Sequence, residues 1–201
     1  MGFLPISIGV MLLYDFPIGL SHTGSKEVYA VLDIFPDVLG FALILFGLIR
    51  LSKRGYECKR EIVFASVMTL VSSFVFVKDV LLFRSFYSLD GENGALENTA
   101  GRYITFAQQV LILVFLVLLF RKLSSVLTDL DEPALARTNG RIPALALMDA
   151  AVYVLSFSLS FISGGLFETA ARAAQLLHML LWILIVWYGG ISLLRASLRL
   201  N

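Results

Sequence analysis

The chain has 201 residues, of which 58% are hydrophobic and 15% charged, with a net charge of +1 at neutral pH. Soluble domains carry about 25% charged residues, and a chain of this length needs that polar surface to cover its core. The composition therefore excludes an ordinary soluble fold. The cations sit in short clusters beside apolar blocks, which excludes a nucleic-acid-binding surface as well.

A helix needs about 20 apolar residues to cross a hydrocarbon core of roughly 30 Å. Six blocks approach that length. The first, residues 3–20, carries Asp15 and Pro17, has no basic region before it and no small-residue cleavage pattern, and reads as a retained span. The second covers 34–51, with Asp33 as its N-cap, Pro36 in its first turn and Asp37 facing the positive end of the helix dipole. The third, 62–86, is interrupted by Lys78 and Asp79, and the fourth, 103–120, follows a loop over 88–102 and contains Gln108 and Gln109. Pro143 opens the fifth, 142–167, which contains Asp149; the sixth, 170–194, contains His178. All six are too long for barrel strands and lack alternation, so each is expected to be a helix.

Lysine and arginine set the orientation. Arg50, Lys53, Arg54, Lys59 and Arg60 follow the second block, Arg121, Lys122, Arg137 and Arg141 follow the fourth, and Arg195 and Arg199 follow the sixth. The alternate loops hold only Lys26, Arg84, Arg102 and Arg172. The richer side belongs in the cytoplasm, and the bias requires an even number of spans. The expected fold is one all-α domain over residues 1–201, an integral membrane bundle of six transmembrane helices with both ends inside (N-in/C-in). The even-numbered blocks end alike, at Arg50-Leu51-Ser52, Arg121-Lys122-Leu123-Ser124 and Arg195-Ala196-Ser197. That recurrence fits three repeated helical hairpins, and it also fits cytoplasmic helix ends that each acquire an arginine independently. Between residues 121 and 141, Leu123, Val126, Leu127 and Leu130 recur at helical spacing, as in a continuation of the fourth helix along the membrane surface.

An ionisable group in the hydrocarbon costs roughly 2.5–3.5 kcal/mol at a helix centre, so such residues are functional candidates. Asp15, Asp33, Asp37, Lys78, Asp79, Arg172 and His178 lie toward the outer ends of their blocks, with Glu168 one turn from Arg172. They form either a polar vestibule or separate ion pairs and interface anchors. Lys78 and Asp79 are neighbours, about 100° apart around a helix, so each must look to another helix. Asp149 has apolar neighbours Met148, Ala150 and Ala151 and is the most isolated acid; as a proton or cation site it needs a raised pKa or a partner such as Gln108 or Gln109, which fall at a different depth. Ala65, Thr69 and Ser73, Ala146 and Ala150, and Gly40 and Gly47 mark close helix packing.

Two histidines, His22 and His178, cannot build a three-histidine or His-Glu-x-x-His metal site, and no cofactor motif, P-loop or Gly-x-Ser-x-Gly elbow occurs. Ser163-Gly164-Gly165 with His178 suggests a serine–histidine pair only faintly, since serine is common at helix ends. Cys58, the single cysteine, falls in a charged loop, cannot form an internal disulfide and reads as an incidental thiol.

The segment Asp33-Ile34-Phe35-Pro36-Asp37-Val38-Leu39-Gly40, followed by Gly47-Leu48-Ile49-Arg50-Leu51-Ser52, resembles a group of small uncharacterised bacterial polytopic membrane proteins that open the second span with D-x-x-P-D-x-x-G. The likeness covers the first quarter of the chain and implies a multi-pass protein of the bacterial cytoplasmic (inner) membrane. It implies no activity. Three functions remain: a small-solute or ion permease, a scaffold or regulatory subunit of a membrane partner or of a homo-oligomer, and, last, a lipid-modifying or proteolytic enzyme.

Overall fold

The computed structural model describes residues 2–13, 17–22, 28–33, 37–86, 94–162 and 164–200, with side chains for 2–13, 37–77, 103–162 and 164–200. Among the described residues there are six helices and one strand pair: α1 (Phe3–Leu12), β1 (Pro17–His22), β2 (Val28–Asp33), α2 (Asp37–Ser52), α3 (Lys59–Phe86), α4 (Gly94–Asp129), α5 (Pro133–Leu159) and α6 (Gly165–Leu200). Four helices, α3 to α6, are long and apolar enough to cross a membrane.

The first apolar block is not one span. α1 stops at Leu12 after 10 residues, about 15 Å at the usual rise per residue, and Pro17 opens a strand instead. Proline lacks the N–H that a helix interior requires, whereas the first residue of a strand tolerates its loss. β1 and β2 pair antiparallel, with Pro17 opposite Asp33 and His22 opposite Val28. Asp33 thus ends β2 and does not cap α2. The helix begins at Asp37, which does occupy the first turn near the positive dipole end.

Each helix packs on its neighbour in chain order, and α1 closes the circuit by packing on α6. Consecutive helices run antiparallel: Gly2 meets Gly47 and Gly9 meets Gly40 across α1–α2, Ser124 donates to the Ala136 carbonyl across α4–α5, and Ser156 donates to the Ala171 carbonyl across α5–α6. The amino end of α1 and the carboxyl ends of α2, α4 and α6 therefore share one end of the bundle. The eleven basic residues that set the expected orientation gather there, exposed except for half-buried Lys122.

Gly40 and Gly47 form the close-packing face expected of them, with partners in α1. A Cβ on Gly9 would lie 2.5 Å from the Gly40 carbonyl oxygen, and one on Gly40 would lie 2.9 Å from that of Gly9. Backbone therefore meets backbone, the geometry small residues permit. α1 also docks on α6: Ser7 donates to the Gly190 carbonyl at 2.7 Å, and the Met11 side chain covers Gly190. Phe120 of α4 fills the surface of the neighbouring Gly189, and Phe115 meets Phe41 of α2 and Phe64 of α3, each at 5.5 Å between ring centroids.

Helix ends differ from the expected ones because hydropathy marks only the apolar part of a helix. α4 starts at Gly94, so residues 94–102 are helix and not loop, and it continues to Asp129. Leu123, Val126 and Leu127 are buried in the bundle and do not lie along a membrane surface. α5 opens with Pro133, placing Pro143 inside the helix, where it has no N–H for the carbonyl one turn back. In α3, Thr69 and Ser73 return their hydroxyls to the carbonyls of Ala65 and Thr69. Cys58 lies in the loop just before α3, as expected, with its side chain fully buried against the core. Burial pushes its thiol up from the ordinary value, Lys122 pulls it back and Glu61 adds to the rise.

Candidate functional site

Asp149 lies about ten residues from the carboxyl end of α5, or about 15 Å. Its side chain is 0% exposed, and its partner is His178 of α6, whose Nδ1 lies 2.7 Å from Asp149 Oδ1. The acid is therefore not isolated: the antiparallel α5–α6 hairpin sets both residues at one height. Its other oxygen, Oδ2, is buried with no hydrogen-bonding partner. His178 keeps 14% of its side chain exposed. With Asp149 ionised, Nδ1–H donates to the carboxylate, and Nε2 remains where a further proton can be held.

Aromatic rings enclose the pair. Tyr153, one turn above Asp149, lies 4.5 Å from the His178 ring, and Trp182, one turn below His178, lies 6.4 Å from it. Phe106 of α4 stacks on Tyr153 at 5.4 Å and on Phe157 at 4.0 Å, and Tyr103 continues the stack against Phe157 and Phe161. An ionised carboxylate among such groups is costly unless paired and hydrogen-bonded. The imidazole meets that requirement at one oxygen and leaves the other unmet.

Gln108 stands about 200° around α4 from Phe106 and faces α2, where its Nε2 donates to Asp37 Oδ2 at 2.8 Å. Gln108 thus faces away from Asp149, and α4 divides them. Of the outer polar residues, His178 joins Asp149, Asp37 joins Gln108, and Arg172 lines a cleft between α5 and α6 with Glu168. Asp33 is placed by its backbone at the end of β2, and Lys78 and Asp79 by theirs within α3. Asp15 and the side chains of Asp33, Lys78 and Asp79 lie outside the described residues, as does Ser163.

Beside the dyad, Tyr153, Ser156, Ser160 and Gln175 were not singled out from the sequence, whereas Arg172 and Glu168 were. From Asp149, Tyr153, Ser156 and Ser160 follow at helical spacing on α5. From His178, Gln175, Arg172 and Glu168 precede at helical spacing on α6. The two polar stripes face each other, and that pairing was the signal available in the sequence. A second buried polar contact lies toward the basic end, where Asn139 Nδ2 donates to Ser192 Oγ at 2.8 Å and to the Leu135 carbonyl.

Among the described residues, no group of three or more histidine, cysteine, aspartate or glutamate side chains could hold a metal ion. One carboxylate and one imidazole, lined by aromatic rings, supply too few oxygens for an alkali or alkaline-earth cation. The donor set suits a proton. No known protein family, curated protein or solved structure matches this chain.

Proposed function

We propose that the chain is a multi-pass protein of the bacterial cytoplasmic membrane that moves a proton, alone or with a small solute, through the Asp149–His178 pair. The observation that carries this reading is a fully buried carboxylate midway along a membrane-length helix, hydrogen-bonded to an imidazole through one oxygen only. Intramembrane acid–histidine pairs of this kind suit proton relays because each partner changes charge while the other offsets it. The resemblance of the Asp33–Gly40 segment to small bacterial polytopic proteins supports the location.

In this reading the basic end faces the cytoplasm, following the lysine and arginine bias. α3 to α6 cross the bilayer, and α1 with α2 enters and returns to the same end, so both ends remain inside however far that pair penetrates. α2 has 16 residues, about 24 Å, against the roughly 30 Å of a hydrocarbon core. This arrangement replaces six full spans.

Purified protein in liposomes enclosing a pH-sensitive dye tests the reading. A potential-driven internal pH change that disappears with Asp149→Asn, in a variant of unchanged thermal stability, supports it. Equal pH changes in wild type and variant, or none in either with and without candidate solutes, oppose it. A partner that co-purifies equally with both proteins would then favour a scaffold or regulatory subunit.

A further inference from the structure

We infer that, in the conformation described, the Asp149–His178 pair exchanges protons with one side of the membrane only, the side of the α5–α6 turn, through the polar seam between α5 and α6. This rests on the proposed protonation of the pair and adds the route and its direction.

The seam begins at the turn. Ser156, Ser160, Glu168, Arg172 and Gln175 line a cleft of about 240 Å³ between the two helices. Its deepest polar members, Ser156 and Gln175, lie one turn above Tyr153 and His178, respectively. His178, one turn below Gln175 on α6, retains exposed surface, whereas Asp149 retains none. A hydronium proton entering here is taken by a ring nitrogen of His178, releasing water. The imidazolium then balances the Asp149 carboxylate, and the pair passes from one net negative charge to none. Return of that proton to water reverses the step, with no other reactant.

Below the pair the same interface turns apolar. Ala146 and Ile142 of α5 and Ile185 of α6 are all 0% exposed, and Trp182 is 5% exposed. Phe120 of α4 closes over Gly189 in the same layer. About two helical turns of close-packed apolar groups therefore separate Asp149 from the next polar contact, Asn139 with Ser192. Apart from the Trp182 indole N–H, which is buried with no hydrogen-bonding partner, the layer's side chains offer water no partner.

Among the described residues, the charged and titratable groups around the route are few. α4 contributes Tyr103 near the turn, α5 contributes Tyr153 beside the ring, and α6 contributes Glu168 and Arg172 at the mouth. The described part of α1, which packs on α6 nearer the basic end, carries none.

Single cysteines in a Cys58→Ser background test the route by reaction with a charged, membrane-impermeant thiosulfonate applied to either face of sealed vesicles. A cysteine at Lys53 identifies the basic face. Ser156→Cys and Gln175→Cys are expected to react at least tenfold faster from the opposite face, and Ala146→Cys and Ile185→Cys from neither. Unreactive seam cysteines, or seal cysteines that react from the basic face, would overturn the inference. Infrared titration of the His178 imidazole in the same vesicles keeps the two ideas apart. A titrating imidazole with unreactive seam cysteines sinks the route alone; an imidazole that never titrates sinks the protonation reading.

Discussion

Asp149 and His178 are 29 residues apart in sequence and 2.7 Å apart in space, and each approaches the other from a different helix. Their contributions to stability are therefore coupled. Removing either partner leaves a buried polar group exposed to an apolar surrounding, at a cost of about 3–5 kcal/mol for a buried ionic pair. His178→Leu alone is expected to fall in that range, whereas Asp149→Leu combined with His178→Leu recovers most of the loss. Denaturant unfolding of the three variants in detergent measures the coupling, and additive losses would show that the contact is incidental. Glu132 and Arg199 are the control: their 3.2 Å pair has Arg199 60% exposed, and Glu132→Gln should change stability by less than about 1 kcal/mol.

Gly40 cannot accept a larger side chain without separating α1 from α2. A Cβ there meets the Gly9 carbonyl oxygen at 2.9 Å and Leu13 Cδ2 at 2.9 Å. Gly40→Val is expected to destabilise by about 1–3 kcal/mol, the usual range for overpacking. The same change at Gly165, with nothing near its added Cβ, meets no such clash. Thermal unfolding of the two variants separates packing from any general effect of replacing glycine.

The Asp149–His178 contact could have been inferred from the turn between α5 and α6. Gly164 has φ +140°, a conformation other residues rarely adopt, and Gly164-Gly165 was visible in the sequence as a helix end. Asp149 and His178 stand about equally far on either side of it, and antiparallel helices bring such residues together. Counting depth from Ile142 hid this, because the polar first turns of α5 carry no hydropathy signal. The same blindness lengthened the first block, where Leu20 is as apolar as a helix needs but Pro17 and Gly19 both disfavour a helix interior. The glycine face of α2 was readable because its spacing follows the helical period. Its partners Gly2 and Gly9 were not, since nothing local in a sequence says which helix receives such a face.

Phe120 and Gly189 form a matched pair across α4 and α6. A Cβ on Gly189 would meet the Phe120 ring, with Cε1 at 3.1 Å and Cε2 at 3.2 Å. Gly189→Ala should therefore destabilise, and Phe120→Leu should relieve it, giving a coupling of about 0.5–3 kcal/mol in a double-mutant cycle. Independent effects would contradict the packing described.

Cys58 predicts an alkaline dependence of stability. Its thiol is raised in the folded protein chiefly by burial, so folding favours the neutral form. Its contribution is complete below the ordinary thiol value and is lost as pH rises through the raised one. Wild type should lose stability relative to Cys58→Ala over that alkaline range, and thiol modification of the folded protein should be slow until higher pH. Lys122→Met removes the group that pulls the thiol down and should move both effects further up.

Isotope-edited infrared spectroscopy of the His178 imidazole, compared with His178→Gln across a pH series, tests the central claim most directly. A single imidazole signal absent from His178→Gln, whose titration shifts with Asp149→Asn, is the predicted result. A His178 signal unchanged at every pH would contradict a proton-holding pair between α5 and α6.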